Sequence, residues 1–265
     1  MTSVLSLDAM PSLDDIERFI FARAPLCPTT QHVIQAYQTG VMYEDESGQE
    51  KLNNTSASWN EALGLWYLAY TQPGKTILET GFGRGGSAAV LLAGSSQVGA
   101  RVISVDPAFR HWAGDTGLRY LHHAQAIDRH ILVEQPSETF LPAKLCDPVF
   151  DRLHLAYIDG SHLFDIALVD FVLLDRLLEP GGVIAVDDAM SPAVYTLLSF
   201  VANNLAYRVG FFTPRLAVCI KMKQDDRQWD YFRPFWVSPN TDWNVHDGLP
   251  SADVIPRVVV AQGRT

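Results

Sequence analysis

Between residues 75 and 222, short apolar segments alternate with helical patterns, and this alternation constrains the fold more than any other feature. Five of the apolar segments have the length of strands: Thr76–Thr80, Arg101–Asp106, His130–Glu134, Leu153–Ile158 and Gly182–Val186. Strands that alternate with helices form right-handed βαβ units and a parallel sheet. The last of these strands is apolar at successive positions, as expected for a strand that is buried on both faces. The sequence therefore predicts a Rossmann-like, doubly wound α/β fold.

Helical periodicity predicts helices between and after these strands, at Ser87–Ala93, Thr116–Asp128, Phe164–Leu178 and Pro192–Asn203. Two further strand-like segments, Leu205–Phe212 and Leu216–Met222, follow the last helix and flank Thr213-Pro214. This arrangement is typical of a hairpin, which would add an antiparallel strand at one end of the sheet. We therefore expect a mostly parallel, seven-stranded sheet that closes with a C-terminal antiparallel hairpin.

The chain divides into three regions by residue pattern. Residues 1–72 carry helical patterns on either side of a polar, acidic loop at Tyr43–Ser56, and we expect a helical cap that selects the substrate. Residues 73–223 form the sheet-containing core. Residues 224–265 are rich in aromatic side chains, namely Trp229, Tyr231, Phe232, Phe235, Trp236 and Trp243. Such a stretch suits a lid or a subunit interface, and packing of the tail onto the sheet explains it equally well.

Charge and composition narrow the class of ligand. The chain has 20 basic and 30 acidic side chains and a net charge of −10, which disfavours nucleic acid and anionic lipid as partners. No apolar run approaches the ~20 residues of a membrane span, and the N-terminal residues do not resemble a signal peptide. Cys27, Cys146 and Cys219 are scattered, which disfavours a disulfide framework. We expect a cytoplasmic protein with a small-molecule ligand, with a homodimer as the default assembly.

A glycine-rich loop follows the first strand of the core, in the segment Glu79-Thr-Gly-Phe-Gly-Arg-Gly-Gly86. Glycines allow positive φ angles and let backbone N–H groups approach a ligand at a helix N-terminus. Asp106 ends the second strand, where a carboxylate can accept both hydroxyls of a ribose. NAD and S-adenosylmethionine (SAM) share that ribose, and Gly81, Gly83 and Gly86 also satisfy the dinucleotide pattern. The loop thus fits either cofactor, or a strand-to-helix turn without a ligand.

The segments around the fourth and fifth strands separate these alternatives. They read Ile158-Asp-Gly-Ser-His162, Leu178-Glu-Pro-Gly-Gly182 and Val186-Asp-Asp188. Together with the pattern Glu79-x-Gly-x-Gly-x-Gly85, they resemble the class I SAM-dependent O-methyltransferases over Trp59 to Met222. The combination is most similar to the branch of metal-dependent sugar O-methyltransferases that includes macrocin O-methyltransferase. It is more distantly similar to the catechol and caffeoyl-CoA O-methyltransferases.

The resemblance implies SAM as the cofactor and assigns residues to its parts. Those that would hold the amino acid portion are Glu79, Gly81, Gly83 and Gly85. Asp106 would hold the ribose, and Ser137, in the turn Gln135-Pro-Ser137, would contact the adenine. Asp159 would lie at the cofactor as well. The activity implied is methyl transfer to a hydroxyl of a small, natural-product-like acceptor.

Three carboxylates point to a divalent metal ion. Asp159 follows the fourth strand, and Asp187 and Asp188 follow the fifth, at the same edge of the sheet. Sets of hard oxygen ligands suit Mg²⁺, which would lower the pKa of a substrate hydroxyl and fix its direction. Alternatively, Asp187 and Asp188 cap the next helix, and Asp159 belongs to a turn in a metal-independent enzyme.

His162 is the candidate catalytic base. It lies three residues after Asp159, at an offset that returns its side chain towards the same edge. An imidazole with a pKa near ~6.5 suits the removal of a proton from an acidified hydroxyl. A role in hydrogen bonding to the substrate is the alternative for this residue.

We therefore expect a Mg²⁺-assisted, SAM-dependent O-methyltransferase. Three other functions stay open at this point: a metal-independent methyltransferase acting at O, N or C, an NAD-dependent oxidoreductase, and a non-catalytic SAM-binding protein. Insensitivity to chelators would indicate the first, and nicotinamide binding would indicate the second.

Overall fold

The structure is a computed structural model and describes residue 7 and residues 10–46, 48–52, 57–72 and 74–235. Its strands are β1 Val41–Asp45, β2 Gly48–Lys51, β3 Thr76–Thr80, β4 Arg101–Val105, β5 His130–Val133, β6 Leu153–Ile158, β7 Leu178–Val186, β8 Tyr207–Phe211 and β9 Ala217–Lys221. Its α-helices are α1 Leu13–Arg23, α2 Pro28–Thr39, α3 Trp59–Thr71, α4 Gly86–Gly94, α5 Phe109–Ala113, α6 Thr116–His123, α7 Ser137–Leu145, α8 Phe164–Leu177 and α9 Pro192–Asn204.

Within the described residues, seven strands form one sheet in the order β5-β4-β3-β6-β7-β9-β8. The strands from β3 to β7 run parallel, and β9 runs antiparallel to both β7 and β8. The strand order reverses between β3 and β6, which makes this pair the topological switch point. Ligands of doubly wound sheets bind outside the carboxyl ends of the strands at such a point. The predicted Rossmann-like fold with its closing hairpin is confirmed.

Helices cover both faces of the sheet, which explains why its strands are apolar at successive positions. One apolar core lies between the sheet and the helices α1–α4 and α6. The other lies between the sheet and the helices α7–α9. Helix α4 is buried along most of its length, with the side chains from Ala88 to Ala93 at most 1% exposed. This burial fixes the helix that begins at the glycine loop.

The helices of residues 1–72 form the outer layer of the first core. Helix α3 starts at a capping box, in which Ser58 Oγ accepts from Glu61 N at 3.3 Å and Glu61 Oε2 accepts from Ser58 N at 2.5 Å. Trp66 of α3 shares the core with Val90 of α4. No helix in the described parts of the chain is long and apolar enough to cross a membrane.

The prediction of a loop at Tyr43–Ser56 is wrong over its first half, where β1 and β2 form an antiparallel hairpin. The hairpin is polar and short, so its own sequence pattern does not indicate strands. Contacts from the core hold it in place: Tyr43 stacks on His123 with ring centroids 4.9 Å apart, and Arg84 of the glycine loop forms an ion pair with Glu50. Tertiary partners therefore decide the conformation of this segment.

Three helical segments also differ from expectation. Helix α6 ends at His123 and not at Asp128, because Gln125 adopts a φ of +55° and a short 3-10 turn follows. Helices α5 and α7 were not predicted. Helix α7 contains Pro142, which obscures its helical pattern in the sequence.

The described part of the aromatic tail packs far from the carboxyl edge of the sheet. Arg233 N donates to Asn204 Oδ1 at 2.7 Å, and Phe235 meets Phe200 edge-on, so the tail contacts the C-terminal half of α9. Helix α9 begins after β7 and ends at the opposite edge of the sheet. Residues 224–235 therefore do not cover the switch point, and the lid prediction rests on residues 236–265, including Trp236 and Trp243, which lie outside the described residues.

Candidate cofactor and metal site

A cavity of about 1000 Å³ opens at the carboxyl edge of the sheet, over the switch point. Its walls come from the segments that follow β3, β4, β5, β6 and β7, together with Ala57 before α3 and Arg215 from the turn before β9. It brings together eight of the residues that the sequence analysis selected, namely Gly81, Gly83, Asp106, Ser137, Asp159, His162, Asp187 and Asp188. Glu79 and Gly85 are not part of its wall.

The glycine loop is held tightly against the neighbouring strand end. Gly81 has a φ of +90°, and a Cβ atom at this position would lie 2.1 Å from the carbonyl oxygen of Asp159. Gly83 has a φ of +48°, and a Cβ atom there would meet nothing within 4 Å. Gly81 is therefore required for the approach of two backbones, whereas the space above Gly83 is open to a ligand.

Asp106 organises this loop. Its Oδ2 accepts from the backbone N–H groups of Phe82 at 2.9 Å and Gly83 at 3.0 Å, and its Oδ1 accepts from Ala108 N at 2.8 Å. A carboxylate can accept about four hydrogen bonds, so these three leave capacity for a ligand hydroxyl. The predicted contact with a ribose stays a prediction, and the structure adds a role in holding the loop.

Glu79 lies beneath the loop and not on the cavity wall. Its side chain is fully buried, and Ser104 Oγ donates to its Oε1 at 2.5 Å. Ser104 Oγ is also 2.6 Å from His130 Nε2, so the three side chains form a buried chain across β3, β4 and β5. Burial raises the pKa of Glu79 to about 7, and burial lowers the pKa of His130 to about 4. The predicted contact of Glu79 with the cofactor stays a prediction, and the structure adds a hydrogen-bonded position beneath the loop.

Gly85 also lies off the cavity wall, and its predicted contact with the cofactor stays a prediction. It precedes α4 with a φ of +75° and packs against the backbone of Gly117. Gly86 and Ser87 contribute to the cavity wall instead.

Two acidic side chains lie together at the ends of β6 and β7. Asp159 N donates to Thr80 O, and Asp187 N donates to Ile158 O, both at 2.9 Å, which fixes each residue to the neighbouring strand. Burial, followed by the charge of Asp187, raises the pKa of Asp159 well above its ordinary value. Burial and the charge of Asp188 raise the pKa of Asp187. Both carboxylates therefore lie where a cation would be stabilised.

His162 completes a group that can hold a metal ion. Ligand atoms of Asp159, His162 and Asp187 all lie within 4.8 Å of one another. His162 Nε2 is 3.8 Å from Asp159 Oδ1 and has no hydrogen-bond partner among the described residues. His162 Nδ1 is 3.4 Å from Asp188 Oδ2.

Asp188 has a different environment from the one that the sequence suggested. Its φ is +47°, and its Oδ1 accepts from Arg215 Nη2 at 2.5 Å. The same guanidinium lies 3.3 Å from Glu61 Oε1 in the capping box of α3. Burial lowers the pKa of Arg215, but Asp188 and Glu61 outweigh this and raise it. Asp188 is therefore the member of the acidic trio whose side chain forms an ion pair with a cation.

Sequence reasoning missed Arg215 and Asp170, which both line the cavity. Arg215 lies in a turn with no motif, and only the tertiary structure brings it to Asp188. Asp170 carries a usable signal, because it is an acidic residue on the buried face of α8 that also contains Ala167, Phe171 and Leu174.

Comparison with known proteins agrees with this geometry. Residues 78–189, which run from the middle of β3 to just beyond Asp188, match a family model described as a methyltransferase domain. The predicted SAM-dependent methyltransferase is confirmed by this match, which contains both the glycine loop and the acidic trio. No curated protein matches the sequence.

Solved structures share the fold of this methyltransferase at low sequence identity. The cofactor-bound protein Rv0187 from MTB is 18% identical, with a TM-score of 0.54 over 81% of this chain and 99% of that chain. TomG from Streptomyces achromogenes, an O-methyltransferase in complex with SAM, is 18% identical, with a TM-score of 0.53 over 72% and 89%. An O-methyltransferase from Bacillus cereus, in complex with SAH, is 17% identical, with a TM-score of 0.51 over 73% and 90%.

Proposed function

We propose that this methyltransferase transfers the methyl group of SAM to a hydroxyl of a small molecule, with the assistance of a divalent cation, most simply Mg²⁺. The observation that carries the proposal is a single cavity with two different walls. One wall is a glycine loop with an aspartate that suits a nucleoside, and the other is a group of two carboxylates and an imidazole. A cofactor on the first wall would lie beside an acceptor on the second.

The residues fit SAM. The open space over Gly83 allows a ligand to approach the backbone, and Asp106 retains acceptor capacity for a ribose. SAM supplies an activated methyl group, so the protein has to align the acceptor oxygen with it more than to perform covalent chemistry. The cavity volume of about 1000 Å³ accommodates a nucleoside and a small acceptor.

The residues also fit a divalent cation. Asp159 and Asp187 present hard oxygen ligands, and Asp187 Oδ1 is buried without a hydrogen-bond partner among the described residues. A bound cation would lower the pKa of an acceptor hydroxyl. Burial and like charges raise the pKa of each carboxyl, and such an ion would neutralise the like charges.

We assign the proton transfer to His162. Asp188 lies 3.4 Å from Nδ1, which favours the tautomer with the proton on that nitrogen and leaves the Nε2 lone pair without a hydrogen-bond partner among the described residues. Arg215 holds Asp188 by an ion pair and thereby supports the imidazole. We therefore place Asp188 in support of His162 and do not keep it as a main metal ligand.

The acceptor class follows from these groups. Two neighbouring oxygens, as in a vicinal diol or a catechol, would use both the cation and the base. TomG, which shares the fold, is involved in tomaymycin synthesis, and we propose a natural-product-like acceptor for this chain as well.

The first test is transfer of a radiolabelled methyl group from SAM to a panel of diols, catechols and sugars, with and without EDTA. We expect transfer that EDTA abolishes and Mg²⁺ restores. Activity that is indifferent to EDTA would indicate a metal-independent enzyme. SAM binding without transfer to any acceptor class would favour a non-catalytic protein, and binding of NADH alone would overturn the proposal.

A second test separates the base from a metal ligand. Replacement of His162 by Ala is expected to lower the single-turnover rate by about 100-fold or more, while the Mg²⁺ dissociation constant changes less than about fivefold. A parallel loss of Mg²⁺ affinity would show that His162 is a ligand. His111, on the exposed surface of α5, provides the control substitution to Ala.

A further inference from the structure

Glu61 is a buried carboxylate that lies off the cavity wall and contacts a side chain of that wall. It belongs to the first turn of α3, and its side chain is 2% exposed. Its Oε2 accepts from Ser58 N at 2.5 Å in the capping box, which leaves Oε1 for a second contact. That oxygen is 3.3 Å from Arg215 Nε. A helix-capping residue thus reaches the turn before β9.

Arg215 joins two carboxylates that are remote from each other in the chain. Its Nη2 donates to Asp188 Oδ1 at 2.5 Å. Its Nε is buried and has no hydrogen bond of normal geometry among the described residues, so the contact with Glu61 is one between opposite charges. A guanidinium presents its donors in a rigid, planar fork, and a carboxylate at each end therefore sets the direction of the whole group.

The series of contacts ends at the imidazole of His162. Asp188 Oδ2 is 3.4 Å from His162 Nδ1, while Asp188 Oδ1 accepts from Arg215. A carboxylate that is held at one oxygen presents the other in a defined direction. Arg215 is 43% exposed, and ordering a long side chain of this kind costs conformational entropy. The buried carboxylate of Glu61 is therefore the fixed end of the series.

We propose that Glu61 is a positioning residue for methyl transfer: it fixes Arg215 on Asp188 and thereby orients the imidazole of His162. This inference rests on the proposed role of His162 as the base. A base acts only within hydrogen-bond reach of the proton that it removes, so a small displacement of the imidazole slows the reaction. The N-terminus of α3, which lies outside residues 78–189 of the methyltransferase match, then takes part in catalysis by holding this geometry.

The test begins with a variant that keeps the cap and removes the charge. In Glu61→Gln the amide oxygen can still accept from Ser58 N, because glutamine also serves in a capping box, but the amide NH₂ then faces the guanidinium. We expect the single-turnover rate of methyl transfer to fall by about 10-fold, as for a misplaced catalytic group. The acceptor KM and the Mg²⁺ dissociation constant should change by less than about threefold, because no ligand contact is removed.

The matched control removes the cap and keeps the charge. Ser58→Ala should lower the melting temperature by about 2–4 °C, as expected for a lost N-cap in a chain of this size, and should leave the transfer rate within about twofold. Glu61→Gln should lower the melting temperature by less than this control does. The two variants thus separate helix capping from positioning.

A double-variant cycle tests whether the residues act as one series. Arg215→Lys keeps a positive charge, but an ammonium group is a point charge and cannot span both carboxylates as the fork does. We expect the double variant with Glu61→Gln to be no slower than the slower of the two single variants. Losses that multiply would show that Glu61 and Arg215 act independently, and would overturn the inference.

A spectroscopic measurement needs no SAM, acceptor or metal ion. The ¹⁵N signals of the His162 ring, identified by their loss in His162→Gln, report which nitrogen carries the proton. At about pH 9, where an imidazole is neutral, we expect the proton mainly on Nδ1 in the metal-free unmodified chain and in Ser58→Ala. Glu61→Gln should show a mixture of the two tautomers.

Three further results would overturn the inference. They are an unchanged rate in Glu61→Gln, equal rate losses in Glu61→Gln and Ser58→Ala, and the same His162 tautomer in Glu61→Gln as in the unmodified chain. If the chain methylates an acceptor and Glu61→Gln keeps the rate, the inference fails and the proposed function stands. If the chain methylates no acceptor, the proposed function fails, and the nitrogen signals decide the arrangement of Glu61, Arg215, Asp188 and His162 by themselves.

Discussion

The two walls of the cavity are built on opposite principles. On the glycine-loop wall, the carboxylate of Asp106 is satisfied by three backbone N–H groups, so this half is organised before any ligand binds. On the acidic wall, burial and the charge of Asp187 raise the pKa of Asp159, and Asp187 keeps an oxygen without a partner among the described residues. The difference teaches that the first wall is preformed by the backbone, whereas the second brings acidic side chains together without backbone partners for all their oxygens.

The largest destabilisation of the glycine-loop wall is expected when a methyl group is added at Gly81. Gly81→Ala places a Cβ atom 2.1 Å from a backbone oxygen at a φ of +90°, and we expect the free energy of unfolding to fall by about 4 kcal/mol. The measurement is urea denaturation followed by circular dichroism.

The matched variant is Gly83→Ala, which has the space for a Cβ atom and suffers only from its φ of +48°. Its cost should be about 1–2 kcal/mol. Equal costs at the two positions would contradict the idea that contact between the backbones of β3 and β6 fixes this wall.

The acidic wall is tested by its two adjacent aspartates. Asp187→Asn removes a buried ligand oxygen and should weaken Mg²⁺ binding by about 100-fold or more, while Asp188→Asn, at a carboxylate already paired with Arg215, should weaken it by less than about tenfold. Calorimetric titration with Mg²⁺ measures both. The reverse order would restore Asp188 as a main ligand, as the sequence alone suggested.

A third test concerns the buried side chains beneath the glycine loop. The pKa of Glu79 is higher there than in the unfolded chain. Its pKa rises from 4.5 to about 7, so its contribution to stability is complete below pH 4.5 and is lost as the pH rises through 7. Between pH 5 and pH 8, the free energy of unfolding of Glu79→Gln should therefore rise relative to that of the unmodified protein, by an amount on the order of 2 kcal/mol. Urea denaturation at both pH values measures the gain.

His130 provides the internal control for this experiment. Its pKa is lowered to about 4, so its contribution is present above pH 6.5 and is lost as the pH falls through 4. With Glu79 replaced, the stability of the protein should rise between pH 5 and pH 7 because only the His130 contribution is left in this chain of side chains. A difference between the two proteins that does not depend on pH would show that Glu79 is ionised in the folded state.

The smallest effect on the free energy of unfolding is expected at Arg215, which forms an ion pair with Asp188 of the acidic wall. Arg215→Ala leaves Glu61, which is 2% exposed, and Asp188 without their shared cation, but Arg215 itself is 43% exposed and its ion pairs are partly screened. We expect a loss of about 1 kcal/mol in the free energy of unfolding. Arg152→Ala, which breaks the exposed pair with Glu179, should cost about half of that or less. Equal losses would mean that Arg215 does not support the wall.

Much of the fold was predictable because its signals are local. Five core strands recur in the structure with ends shifted by a few residues, and the closing hairpin is present at β8 and β9. The hairpin of β1 and β2 and the helix α7 were not predictable in the same way. The first is polar and held by contacts to Arg84 and His123, and the second contains a proline.

Prediction of the site was uneven for a similar reason. Asp159, Asp187 and His162 follow strands whose ends meet at one edge, so topology alone brings them together. Glu79 and Gly85 belong to the same motif as Gly81, but the direction of each side chain or backbone turn takes them away from the cavity. Motif position thus indicates a neighbourhood, and contact with the ligand depends on orientation.

The sequence by itself determined the parallel sheet and the set of chemical groups at its carboxyl edge, since periodicity and the alternation of strands and helices are properties of the chain. Only the tertiary structure decided how those groups are paired. It placed Arg215 on Asp188 and Ser104 on Glu79. Pairing depends on distances between segments that are remote in the chain, and it decides which carboxylates are neutralised and which are left for ligands.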